Sequence, residues 1–207
     1  MANAISLSRF PLLILIVILL YVPDPTYKLV SVFLLIVLIL LDTVDGLVAR
    51  ARNEVSVMGS VIDIMTDRSV ELVLWVVYAH LSLIPVAIPI ICIIRGTVVD
   101  SLRNMHVSEG TAPFKTMQTK LGKWLVGSPT MRTSYAVSKL LSFVILALTN
   151  ALFAYALQGQ VAIQTAQTWL VVGNVLAWIS VAFCLTRGLP VIIEAIQHAG
   201  ANPTTRE

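Results

Sequence analysis

Four aspartates, Asp42, Asp45, Asp63 and Asp67, interrupt otherwise apolar sequence between residues 42 and 67. An ionised Asp near mid-bilayer costs about 2.5–3.5 kcal/mol on insertion scales. Four in two adjacent apolar stretches call for a compensating cation. Bare carboxylates at close range would repel one another and resist ionisation. Two divalent cations would balance their charge, and oxygen ligands favour Mg²⁺ or Mn²⁺. Such a pair of ions suits in-line displacement at phosphorus. Small residues stand at helical spacings around the acids: Gly46, Ala49 and Gly59. They leave room for a ligand, or they let two helices approach closely. Arg50 can grip a diphosphate bidentately, or it simply marks the cytoplasmic end of a span. The whole feature reads as a metal site in a membrane enzyme.

Two antiparallel helices joined by a turn near Asn53 would position these groups. Asp42 and Asp45 precede the turn, and Asp63 and Asp67 follow it. At 1.5 Å per residue all four lie roughly 12–21 Å from it, at overlapping depths. Asp42, Asp45 and Ala49 share one helix face, as do Gly59, Asp63 and Asp67. Two facing helices therefore bring four carboxylates towards one volume.

The rest of the chain supports a membrane setting. Of its 207 residues, 57% are hydrophobic and 12% charged, which lies outside soluble-protein norms. Apolar runs recur near the length needed to cross a bilayer. They predict an all-α polytopic fold of six spans, at roughly 7–22, 28–49, 57–79, 83–105, 133–157 and 167–187. The first run follows Arg9 and reads as a transmembrane helix, not as a cleaved leader. Cys92 and Cys184 fall inside apolar spans and read as buried free thiols. His80, His106 and His198 show no metal-ligand spacing.

Of the Lys and Arg residues, Lys28 alone falls on the side opposite the amino terminus. That asymmetry places both termini, the 50–56 turn and the 106–132 loop in the cytoplasm. Tyr21, Tyr27, Tyr78, Tyr155 and Trp169 sit near the opposite interface, where aromatic belts form. The net charge of +3 reads as orientation and anionic ligands. No soluble basic face is present to track nucleic acid. Residues 1–207 read as one membrane domain without internal repeat. In the 106–132 loop, Phe114, Met117, Leu121, Trp124 and Leu125 recur at helical spacing beside Lys115, Lys120 and Lys123. They suit an interfacial helix, acting as a headgroup guide or as an anionic-lipid anchor. Pro190, after Gly188, reads as ending the sixth span, and Leu189 to His198 as another interfacial turn or the end of that span.

The pattern D-x2-D-G-x2-A-R-x8-G-x3-D-x3-D is matched at every fixed position from Asp42 to Asp67. It resembles the signature of the CDP-alcohol phosphotransferase family. Asn3, Ile5, Ser6 and Arg9 resemble, less closely, the N-x-I-T-x2-R opening of many members, with Ser in place of Thr. The resemblance implies a six-helix membrane fold, often homodimeric, with a polar cavity open to the cytoplasm. It implies that Asp42, Asp45, Asp63 and Asp67 bind two Mg²⁺ (or Mn²⁺) ions. It also implies that Gly46, Ala49, Arg50 and Gly59 contact the CDP moiety of CDP-diacylglycerol. Asp67 is the implied general base: it takes the acceptor hydroxyl proton, the alkoxide attacks the lipid-bearing phosphorus, and CMP leaves.

An acceptor carrying its own phosphate needs further cations. Arg132, Tyr135 and Lys139 share one face at the start of the fifth span, and Arg95 lies inside the fourth. Arg95 reads as an acceptor ligand or as half of an ion pair with Asp100. Lys139 reads as an acceptor ligand or as a snorkelling side chain. The favoured acceptor is sn-glycerol 3-phosphate, giving phosphatidylglycerophosphate. Myo-inositol phosphate comes next, and serine or another neutral alcohol fits the cations less well. Rival classes are an aspartate-rich membrane prenyltransferase and a cation transporter. The first typically repeats its acidic motif, and the second leaves the Gly-x2-Ala-Arg register unexplained.

Overall fold

A computed structural model describes residues 2–51, 57–108, 124 and 128–201, with side chains over 6–42, 58–59, 61–102, 124 and 128–193. Among the described residues six long helices follow in order: α1 (Ala2–Tyr21), α2 (Pro25–Ala51), α3 (Val57–His80), α4 (Ala87–Ser108), α5 (Pro129–Leu157) and α6 (Ile163–Ala201). Every regular element among the described residues is helical. That follows from the solvent, because lipid offers no partner to backbone N–H and C=O groups and helices satisfy their own. Pro25–Asp42, Pro129–Leu157 and Ile163–Ile193 are long and apolar enough to cross a bilayer, and Ser6–Tyr21 is a shorter apolar helix. The chain is an integral membrane protein. The remaining helices are less apolar because they carry Asp63, Asp67, Arg68 and Glu71 (α3) or Arg95 and Asp100 (α4).

Helix ends are set by local chemistry. Pro25 opens α2, where a missing N–H costs nothing, and Asp24 Oδ1 accepts the Thr26 N–H at 2.7 Å as an N-cap. The α3 terminus closes with two bonds, Ser82 N–H to Ala79 O at 3.0 Å and Leu83 N–H to Tyr78 O at 3.0 Å. With Ser82 at φ 58°, this is a Schellman arrangement. The α5 terminus repeats it around Gly159, at φ 73°, with Gly159 N–H to Ala156 O and Gln160 N–H to Tyr155 O.

The chain divides into two compact units, residues 1–86 with 140–176, and residues 87–139 with 177–207. In the first, α1 buries Ser6, Arg9, Leu13, Ile16 and Leu20, one face at helical spacing. Leu35 and Leu38 on α2, and Val70, Leu74 and Tyr78 on α3, form the matching buried stripes. The Trp75 ring meets Phe143 of α5 edge-on at 4.6 Å, and the Tyr78 hydroxyl donates to Phe143 O at 2.8 Å. Gly173 of α6 admits Leu146 of α5: a Cβ there would lie 2.8 Å from Leu146 Cδ2. Asn150 ties three elements together. Its Nδ2 donates to Leu20 O at 2.9 Å, and its Oδ1 accepts from Lys28 Nζ at 2.9 Å.

In the second unit, Ile88, Cys92 and Val99 form the buried face of α4, and Ala177, Val181 and Cys184 that of α6. Both cysteines are buried free thiols, as the sequence predicts. Ser180 Oγ donates to Ser138 Oγ at 3.1 Å. The sixth helix departs from expectation. It does not stop at Gly188 and Pro190 but runs to Ala201 with Pro190 inside. Gly188 serves a close approach: a Cβ there would stand 2.6 Å from Arg95 Nε. Pro190 removes a single backbone donor, which membrane helices tolerate. Most of the expected interfacial helix lies outside the described residues. Trp124 is helical and exposed, and its carbonyl accepts the Ser128 N–H at 3.0 Å.

Candidate active site

The acidic hairpin belongs to the first unit. Asp42 extends the buried stripe of α2 by one more turn, at the spacing Leu35, Leu38, Asp42. Asp63 stands three residues before buried Thr66 on α3, and Asp67 one turn further on. Between the two helices comes a residue of α1. Arg9 is only 2% exposed, and its Nη1 makes an ion pair with Asp42 Oδ1 and lies 4.0 Å from Asp63 Oδ1. One guanidinium thus gathers a carboxylate from α2 and another from α3. The carboxylates themselves stay open, at 43% and 55% exposure. Arg9 is held there by its helix face, whose other members Ser6, Leu13 and Ile16 are buried.

Asp67 is exposed on α3, and Gly59 is half-buried one turn before Asp63. Asp45, Gly46, Ala49 and Arg50 belong to the backbone of α2, but their side chains lie outside the described residues. Among the described residues, no group of three or more acidic, His or Cys side chains stands close enough to hold a metal ion. Two of the four aspartates are therefore seen to meet, and they meet at a cation. Glu71, a turn beyond Asp67, is buried, with Oε2 3.6 Å from Arg68 Nη1.

The donors are hard oxygens, open on one side, and they already draw a positive charge between them. That donor chemistry suits Mg²⁺ or Mn²⁺.

A second polar group lies in the second unit. The Lys139 ammonium stands 5.5 Å from the centre of the Tyr135 ring, and the Arg187 guanidinium 5.6 Å from the same centre. Lys139 is buried at 7% exposure, and Ser138 beside it is tied to α6 through Ser180. Arg132 is exposed one turn before Tyr135. Arg95 is engaged differently: its stem lies across Gly188 and lines an apolar groove of about 280 Å³ with Ile91, Val98, Leu185 and Ile192. Its Nε has no hydrogen-bond partner among the described residues.

Sequence reasoning missed two of these residues. Arg9 reads as a flanking charge and a motif position, and only the packing of α1 against α2 and α3 reveals its contacts. Arg187 stands at the end of the sixth apolar run, with no motif spacing to mark it.

The profile of the CDP-alcohol phosphatidyltransferase family matches residues 1–186. None of the curated proteins compared matches the chain.

Proposed function

Because the chain belongs to the CDP-alcohol phosphatidyltransferase family, we propose that it transfers a phosphatidyl group from CDP-diacylglycerol to sn-glycerol 3-phosphate. The family reaction moves that group to an alcohol and releases CMP, and the chain is such an enzyme. The choice of a phosphorylated acceptor rests on one observation: Lys139 and Arg187 both stand over the Tyr135 ring, 5.5 and 5.6 Å from its centre. The ring attracts each cation, while the two cations repel each other. A phosphate dianion would relieve that repulsion and accept charge-assisted hydrogen bonds from both. Myo-inositol phosphate carries the same group, whereas serine and free inositol lack it.

In this reading Asp42, Asp45, Asp63 and Asp67 hold two divalent ions. Such ions, when bound, stabilise charge on the attacking and leaving oxygens of a phosphoryl displacement. Gly46, Ala49, Arg50 and Gly59 accommodate the CDP moiety, with Arg50 on its diphosphate. Asp67 accepts the acceptor hydroxyl proton. The acceptor oxygen forms a new bond to the phosphorus bearing diacylglycerol, and the bond from that phosphorus to the CMP oxygen breaks. CMP departs with the electron pair. All six helices span the bilayer, with both termini and the site facing the cytoplasm, and the single domain works as a homodimer.

The test is CMP release by purified protein in detergent with Mg²⁺ and CDP-diacylglycerol. The acceptor panel is glycerol 3-phosphate, myo-inositol phosphate, inositol and serine. Turnover with glycerol 3-phosphate alone, abolished by EDTA, is expected. Turnover only with serine or free inositol would refute the acceptor assignment.

A further inference from the structure

We infer that Arg9 is the resident counter-cation of the acidic hairpin, competing with divalent ions for Asp42 and so setting their affinity. The inference rests on the metal-site reading above and extends it to a residue on a third helix. Arg9 is charged, 2% exposed, and carried on an apolar helix. A buried guanidinium normally occurs in a fork-to-fork pair that satisfies its donors. Nη1 approaches one oxygen of Asp42 and, more distantly, one of Asp63. Yet neither Nη1 nor Nε completes an aligned hydrogen bond among the described residues.

The exposure of the partners is equally lopsided. Arg9 approaches from the interior, while Asp42 and Asp63 remain 43% and 55% exposed. Their exposed surface can meet a divalent ion while the buried charge of Arg9 stands against them. Without an ion, Arg9 offsets the repulsion between the carboxylates of α2 and α3 and keeps the hairpin together. With one, the guanidinium repels the incoming charge and competes for Asp42. The two effects share one sign. Removing the charge must destabilise the ion-free protein and tighten ion binding.

The experiment measures Mn²⁺ binding by electron paramagnetic resonance on purified full-length protein in detergent. Thermal unfolding is followed in EDTA and in Mg²⁺. In Arg9→Met, Mn²⁺ should bind on the order of tenfold tighter, as expected from removing a unit charge close to a divalent ion. Its unfolding temperature in EDTA should fall, and the rise on adding Mg²⁺ should exceed that of the wild type. Arg9→Gln should behave like Arg9→Met, and it carries the test if the Met variant does not fold. Arg9→Lys, which keeps the charge, should stay within about threefold of wild-type affinity. Unchanged or weaker Mn²⁺ binding in both neutral variants would overturn the counter-cation role while leaving the metal site intact. Absence of Mn²⁺ binding by the wild type would overturn the metal site and this role with it.

Discussion

Replacing Lys139 by Met tests the acceptor pocket most directly. Lys139 is 7% exposed, so truncation to Ala would leave a void and confuse packing with charge. Met keeps an unbranched stem of similar reach and removes only the ammonium. A charged hydrogen bond is worth about 1.5–3 kcal/mol. At about 1.4 kcal/mol per decade, the loss should lower kcat/KM for glycerol 3-phosphate roughly 10- to 150-fold. Arg187→Met should do the same, since its guanidinium lies as close to the Tyr135 ring as the ammonium does, 5.6 against 5.5 Å. If both grip one phosphate, the double variant should lose less than the product of the single losses, because groups sharing a partner are not additive. The assay is CMP release at saturating CDP-diacylglycerol, with inorganic phosphate as a competitor of the acceptor. The phosphate inhibition constant should rise by a factor similar to the loss in kcat/KM. An unchanged phosphate constant, or a matching rise in the KM for CDP-diacylglycerol, would refute an acceptor-phosphate role for this pair.

Two further outcomes follow from the geometry. Asp67→Asn should bind CDP-diacylglycerol nearly as the wild type does and lose more than about a hundredfold in kcat, the usual worth of a general base; near-normal turnover would remove Asp67 from that role. Gly173→Leu should lower the unfolding temperature, because even its Cβ would stand 2.8 Å from Leu146 Cδ2, and overpacking costs about 1–3 kcal/mol; an unchanged transition would show that α5 and α6 separate freely there.

The helices were legible because apolar runs of bilayer length leave few alternatives, and the Schellman and N-cap residues fall at the run ends. The exception is instructive. Gly188 followed by Pro190 is a stop signal where water can receive the freed carbonyls. In α6 the glycine instead makes room for Arg95, and the helix continues. The acidic hairpin was visible because carboxylates in apolar sequence are costly and their spacing is local. Arg9 and Arg187 were not, because each acts across helices. Nothing near Arg9 in the chain indicates that α1 turns it towards Asp42, and nothing near Arg187 announces Tyr135.

The Asn150 junction carries a consequence for how the protein is made. Its amide caps the Leu20 carbonyl at the end of α1 and holds the Lys28 ammonium at the start of α2. Both partners emerge from the ribosome long before it does, separated by 130 and 122 residues. Until α5 arrives, the first hairpin inserts with an orphan carbonyl and an uncapped ammonium, which only headgroups or water can satisfy. Docking of α5 replaces those partners with the Asn150 side chain. The finished first unit thus depends on one amide supplied from the second half of the chain.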